Sequence, residues 1–242
     1  MTAAADFLAQ RRGGGLFTEF VSQRIGSWLA STGYRLGLSP TALTMAGLAV
    51  GVGGSGFLAL AGPGVVGGLV ALIAWQVAYG LDCADGQLAR YTGRTSPAGA
   101  RLDILCDVAV QISVVTALGV TAPSWLAALF AGTWMVNVVT SVLATGPAAA
   151  SLVRSRSAPV AVVKLVRDYG FVVFVCGLVV ALVPGRTTWL LVALTVVNGG
   201  FLVASVLAGA YASLAQAARP GIDVADCRSA VAASRDHVDS HD

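Results

Sequence analysis

Six stretches of this chain are each long and apolar enough to cross a bilayer, and that repetition narrows the possible folds more than any other feature. A spanning helix takes about 20 mostly apolar residues, and residues 42–62, 65–84, 100–120, 123–145, 166–184 and 188–214 meet that requirement. In hydrocarbon a backbone amide has no water to turn to, so only helices and closed barrels can span. Runs of this length read as helices. The composition agrees: 56% of the 242 residues are hydrophobic and 11% are charged, against roughly 25% charged in an ordinary soluble domain. A mean hydropathy of +0.79 excludes a soluble globular domain and a disordered chain alike. The 29 glycines and 8 prolines keep no three-residue period, which excludes a collagen-like fibre.

Turn signals separate the stretches in pairs. Gly62-Pro63-Gly64, Ala122-Pro123-Ser124 and Pro184-Gly185-Arg186 are tight connections, and Gly47 and Gly51 in the first span permit close helix contact. Charge then sets the orientation. Of the 15 Lys and Arg residues, all but Arg186 fall before span 1, between spans 2 and 3, between spans 4 and 5, or after span 6. The positive-inside rule therefore predicts six spans with both termini in the cytoplasm. The fold class expected is an all-α integral membrane protein of the cell membrane, multi-pass, with a six-span body over residues 39–217.

The flanking segments, 1–38 and 218–242, read differently. Residues 1–12 lack the charged start, apolar run and small-residue site of a signal peptide. Over 16–38 the apolar positions Leu16, Phe20, Val21, Ile25, Trp28 and Leu29 recur at helical spacing, with Arg24 and Arg35 expected on other faces. This predicts an amphipathic helix lying on the cytoplasmic membrane surface. Residues 218–242 turn polar and acidic, as a solvated end does. The four cysteines (Cys83, Cys106, Cys176 and Cys227) form no C-x-x-C pair and read as small apolar residues.

The acidic residues carry the functional signal. Asp82, Asp85, Asp103 and Asp107 all lie within or at the ends of membrane helices, where an Asp at the bilayer centre costs ~2.5 kcal/mol or more. Asp82 and Asp85 are three apart at the cytoplasmic end of span 2; Asp103 and Asp107 are four apart at the cytoplasmic start of span 3. Each pair therefore shares one helical face, and the short connection lets the two faces converge. Four carboxylates packed together repel unless cations intervene. Oxygen-only ligands select hard ions, Mg²⁺ or Mn²⁺, and two Mg²⁺ ions balance four negative charges. Between the pairs, Gly86 and Gly99 let backbone approach a ligand, and Arg90 and Ser96 are donors suited to phosphate oxygens. These residues read as a phosphate-handling loop, with Arg94 and Arg101 as topology charges.

In sequence these residues run Asp82-Cys83-Ala84-Asp85-Gly86-Gln87-Leu88-Ala89-Arg90, then eight residues, then Gly99-Ala100-Arg101-Leu102-Asp103-Ile104-Leu105-Cys106-Asp107. The pattern resembles the D-x-x-D-G-x-x-A-R-x8-G-x3-D-x3-D signature of the CDP-alcohol phosphotransferases at every specified position. The resemblance implies that Asp82 and Asp103 bridge two metal ions, that Asp85 completes the first site, and that Asp107 touches the second and is the catalytic base. It implies that Gly86, Arg90, Ser96 and Gly99 hold the CDP moiety. Pro40-Thr41-Ala42-Leu43-Thr44 is similar to the family's P-N-x-x-T entrance to span 1, with Thr41 in place of the usual Asn or Asp; Thr41 and Thr44 are thus expected near the nucleotide.

The activity so implied is transfer of a substituted phosphate, a phosphatidyl group when the donor is CDP-diacylglycerol, to the hydroxyl of a polar alcohol with release of CMP. A soluble CDP-alcohol is the alternative donor. Homodimers are the family's expected state, membrane lipids are partners, and no nucleic-acid partner is expected. Arg154, Arg156, Lys164 and Arg167, with only Asp168 against them, are candidates to bind a phosphorylated or otherwise anionic acceptor. A cation-coupled transporter predicts acids near the midplane on several helices, whereas these cluster at one leaflet in a fixed order with Gly and Arg. An inactive scaffold is disfavoured because every motif position is filled.

Overall fold

The computed structural model describes residues 4–11, 15–143 and 165–217, and among them every regular element is helical. In chain order these are α1 (Ala4–Leu8), a single π-helical turn (Thr18–Ser22) leading into α2 (Gln23–Arg35), α3 (Pro40–Ala61), α4 (Val65–Tyr91), α5 (Pro97–Leu118), α6 (Ser124–Leu143), α7 (Tyr169–Leu182) and α8 (Thr187–Ala217). Among the described residues, three helices are long and apolar enough to cross a membrane: Pro40–Ala61, Val65–Tyr91 and Pro184–Tyr211. Ser124–Val136 and Tyr169–Leu182 are shorter apolar helices. α5 is 22 residues long, but Arg101, Asp103 and Asp107 make its first half polar. The chain is a membrane-embedded helical protein.

The helix starts repeat one device. Ser39 caps α3 by accepting from the Ala42 amide at 3.1 Å, with Pro40 at the first helical position. Ser96 caps α5 by accepting from the Gly99 amide at 3.0 Å, with Pro97 following. Each cap satisfies a first-turn amide, and proline adds a φ already suited to the helix. Between α3 and α4 the chain reverses at Gly62 (φ 77°) and Gly64 (φ 140°), angles that residues with a Cβ rarely adopt.

The chain forms two compact units, Met1–Gly199 and Gly200–Asp242. In the first unit α4 is central, packing on α2, α3 and α7, while α5 packs along α3 and α6. Trp75 of α4 is fully buried, and its indole donates to Ser55 Oγ of α3 at 2.9 Å; Ser55 and Ser113 of α5 share a further hydrogen bond of 3.0 Å. This polar bridge sits in a core of Leu58, Val114, Leu118, Phe130, Val173 and Leu191. Gly47 and Gly51 make the close approaches expected of them: a Cβ on Gly51 would stand 2.8 Å from Val110 Cγ1, and one on Gly47 3.3 Å from the Ala78 carbonyl. Cys83, Cys106 and Cys176 are buried free thiols; Cys227 lies outside the described residues. In the second unit, the part of α8 from residue 200 turns Val203, Val206, Leu207 and Leu214 outward.

Two sequence expectations need correction. Helix α4 does not stop at residue 84 but continues to Tyr91, because Ala84, Gln87, Leu88, Ala89 and Arg90 favour helix whether or not they favour lipid. Gly86 and Arg90 are therefore helical, and the loop shrinks to residues 92–96. The segment 16–38 is also more tightly built in than a helix resting on a surface. Its inner face is small and polar (Thr18, Ser22, Gly26, Ser27, Ala30 and Ser31 are buried), and it packs on α4. Ile25 and Leu29 turn inward over Gly80, while Leu16, Phe20, Val21 and Trp28 face outward. Arg24 is exposed four residues before Trp28, so the two share one helical face.

Candidate active site

The four aspartates meet where α4 and α5 diverge. Ligand oxygens of Asp82, Asp85 and Asp103 all lie within 4.8 Å of one another, and Asp82 lies against the carboxyls of both Asp103 and Asp107. Asp85 is buried, Asp82 and Asp103 are half-buried, and Asp107 is the most open. Asp107 is not one of the tight trio; it stands beside it. The convergence expected from spacing is present, but α5 runs principally along α3, not α4. Two spaces open in front of the acids.

Those spaces are two cavities, with a slot of about 20 Å³ lined by all four aspartates. The first, about 380 Å³, is lined by Ser39, Thr41, Thr44, Gly86, Arg90, Arg94, Ser96 and Gly99 together with Asp85 and Asp103. The second, about 330 Å³, is lined by Asp82 and Asp107 with Thr18, Tyr79, Gln111, Trp134, Arg167, Asp168 and Tyr169. The quartet is thus the shared wall, two carboxylates on each side. Both volumes suit a small-molecule site.

Local hydrogen bonding refines several expected roles. The Thr44 hydroxyl donates to Asp85 Oδ2, so Thr44 orients a carboxylate as well as lining the first cavity. The Ser96 oxygen is occupied as a helix cap, which leaves its O–H to donate outward. Thr41 and Arg94 line the first cavity as well, whereas Arg101 is exposed and outside both linings. Of the four cations proposed for an acceptor, Arg167 lines the second cavity; Arg154, Arg156 and Lys164 lie outside the described residues.

The trio suits a divalent cation on its own chemistry. It offers only hard oxygen donors, and Asp103 Oδ1 is buried without a hydrogen-bond partner. A buried polar atom without a partner is costly, and a cation supplies one. A family model described as CDP-alcohol phosphatidyltransferase matches residues 38–199, a stretch containing all four aspartates and Arg90. The chain belongs to that family. No curated protein matches it at a significant level. CDP-alcohol phosphatidyltransferases are transferases of substituted phosphate groups and generally depend on divalent metal, in keeping with a carboxylate trio at the junction of two cavities.

Within this phosphatidyltransferase, sequence reasoning passed over much of the second cavity. The Thr18 amide donates to Asp168 Oδ2 at 2.8 Å and its hydroxyl to Asp168 Oδ1 at 2.6 Å, while Tyr79 and Thr18 share a hydroxyl bond of 2.9 Å. The Gly170 amide also donates to Asp168, at 3.1 Å. Asp168 therefore caps α7 and ties down the start of the segment leading to α2. Its position directly before an apolar run was a readable cap signal. Tyr79, Gln111, Trp134 and Tyr169 have no such signal, since aromatic and amide residues inside spans are common.

Proposed function

We propose that the first cavity takes the CDP donor and the second the acceptor alcohol, so that the two substrates meet across the aspartates. One observation carries this reading: Asp85 and Asp103 face the cavity containing Gly86, Arg90, Ser96 and Gly99, whereas Asp82 and Asp107 face the cavity containing Arg167. A donor pyrophosphate suits Arg90, whose planar fork matches phosphate oxygens, and suits the cavity wall at Gly99, where no side chain blocks its approach to the backbone. Thr41 and Thr44 complete the donor site at the start of α3.

In the reaction an acceptor hydroxyl attacks the β-phosphorus of the CDP-alcohol, the P–O bond to CMP breaks, and CMP leaves. Asp107 is the base: it is the most open of the four carboxylates and lines the acceptor cavity, as a group that takes the acceptor proton must. Proton removal by a positioned side chain typically contributes about 10²–10⁴-fold. Asp82, Asp85, Asp103 and Asp107 would hold two Mg²⁺ ions, for which Mn²⁺ would substitute, and bound there the ions would supply positive charge against the pyrophosphate and the departing CMP. Arg90 and Ser96 hold the donor, and Thr44 fixes the Asp85 carboxylate.

The donor is CDP-diacylglycerol, and the acceptor is a phosphorylated or otherwise anionic alcohol read by Arg167 with Arg154, Arg156 and Lys164. The body has six spans with both termini in the cytoplasm, the aspartates at the cytoplasmic side and a cell-membrane location. Support comes from the charge pattern and the outward apolar faces of α2 and α8. The protein works as a homodimer. The test is purified protein with labelled CDP-diacylglycerol, or with soluble CDP-alcohols, and a panel of phosphorylated and neutral alcohols, scoring CMP release. A failure to release CMP from every donor–acceptor pair overturns the reading.

A further inference from the structure

The N-terminal segment before the π-helical turn takes no part in the reaction described so far, yet it is firmly held. Phe7 of α1 is completely buried. Its ring lies 4.5 Å from that of Tyr91 and 5.8 Å from that of Tyr34, and Tyr34 and Tyr91 meet edge to face at 5.5 Å. Ala30, Leu43, Leu81, Ala84 and Leu88 complete the same cluster. Phe7 is thus anchored on the last turns of α4, the part of the helix that carries Arg90.

The anchor has a polar consequence. The main chain turns back after Phe7, with the Gln10 amide donating to the Phe7 carbonyl at 2.9 Å. The Gln10 carbonyl, so placed, accepts from Arg90 Nε at 2.6 Å. With Nε committed, the guanidinium plane is set, and its two terminal nitrogens lie 3.0 and 3.3 Å from where a Cβ on Gly86 would stand. Gly86 and Arg90 both line the first cavity. A free arginine side chain has many rotamers to lose on binding, and a fork already held in its bound orientation loses fewer.

We propose that residues 4–11, anchored by Phe7, are a positioning element that presents the Arg90 guanidinium to the donor through the Gln10 carbonyl. This rests on the assignment of the first cavity to the CDP donor and adds a residue group outside the matched stretch 38–199 to donor recognition. The segment touches no substrate; it acts through Arg90.

The test is a double-mutant cycle on the full chain in detergent, read as separate KM values for CDP-diacylglycerol and for the acceptor. Phe7→Ala releases the anchor, and Arg90→Lys removes the Nε donor that Gln10 holds. Losing an oriented hydrogen bond to a charged group weakens binding by about tenfold. Phe7→Ala is therefore expected to raise the donor KM by about tenfold with the acceptor KM little changed, and Phe7→Leu to restore most of it. In the Arg90→Lys background, Phe7→Ala is expected to add nothing, because residues acting as one unit are not additive. An unchanged donor KM in Phe7→Ala, or independent multiplying effects in the double variant, overturns the positioning role while leaving the donor site standing. An Arg90→Lys protein with an unchanged donor KM overturns the donor-site assignment itself. Should Phe7→Ala fail to fold, Ala9→Pro serves instead. It removes no buried side chain but takes out the Ala9-to-Ala5 hydrogen bond of the turn carrying the Gln10 carbonyl, and it must raise the donor KM in the same way or the positioning role is wrong.

Discussion

Replacing Asp168 by alanine probes the joint between the juxtamembrane segment and the membrane body. The carboxylate is buried and accepts three hydrogen bonds, from the Thr18 amide, the Thr18 hydroxyl and the Gly170 amide. Truncation orphans both amides, while the Thr18 hydroxyl keeps its bond to Tyr79. An unsatisfied buried donor costs about 1–3 kcal/mol, and the loss at Gly170 is also the loss of a helix N-cap, typically about 1 kcal/mol. Relief of a buried charge offsets part of this. A net destabilisation of about 2–4 kcal/mol follows from the two amide terms less that offset. Asp168→Asn keeps one acceptor oxygen and turns an amine towards the other donors, so about half the loss is expected. The assay is unfolding of the purified protein in mild detergent titrated with a denaturing one, comparing midpoints at unchanged slope. Because Gly15, Thr18 and Asp168 line the second cavity, the acceptor KM should rise more than the donor KM in the same variants. An Ala variant within about 0.5 kcal/mol of the parent, the scatter of neutral surface changes, would show that this joint carries no stability.

Three further outcomes are expected. Excess EDTA should abolish CMP release and Mg²⁺ or Mn²⁺ should restore it, since the trio of Asp82, Asp85 and Asp103 otherwise presents bare negative charge to a pyrophosphate; full turnover in EDTA would remove metal from the reaction. Asp107→Asn should lower kcat by about 10²–10⁴-fold while leaving binding of CDP-diacylglycerol close to normal, because the trio remains intact; unchanged turnover would show that Asp107 is not the base. Single changes of Arg154, Arg156 or Lys164 to Ala should raise the acceptor KM and not the donor KM, with Arg186→Ala as the unaffected control; no change in acceptor KM would reduce that cluster to a topology signal.

The aspartates were legible because both their cost and their geometry are local. A carboxylate inside an apolar run is expensive, and spacings of three and four put each pair on one face before any tertiary contact is known. Helix existence was legible for the same reason, since about 20 apolar residues leave little choice. The end of α4 was not. Hydropathy reports the solvent a residue prefers and says nothing about where the backbone stops, so the helix ran on through Arg90 to Tyr91. Nor was the packing of α5 along α3 legible, because a short connection makes α4 and α5 neighbours in the chain without fixing which surfaces close. Close approaches such as Gly26, where a Cβ would stand 2.7 Å from Cys83 Cβ, need two helices placed before they mean anything.

The N-terminal segment shows where reading by residue type stops. Periodicity assigned residues 16–38 to the membrane surface, and Phe20, Val21 and Trp28 do face outward. The N-terminal segment's contacts with the cavity walls, however, run through the inner face and largely through backbone atoms: the Gln10 carbonyl to Arg90 and the Thr18 amide to Asp168, with the Thr18 hydroxyl as the one side-chain donor beside them. A carbonyl or an amide is present at nearly every residue, so no pattern of side chains marks the ones that matter. The two contacts stand at different cavities, Arg90 lining the first and Asp168 the second. One segment therefore braces both walls, and its outward apolar face ties those walls to whatever covers Phe20 and Trp28. If that is the bilayer interface, then weakening the outward face by Trp28→Ser should disturb both substrate KM values together, whereas Phe7→Ala and Asp168→Ala each disturb one. KM values unchanged in Trp28→Ser would mean that the braces hold without the membrane's help.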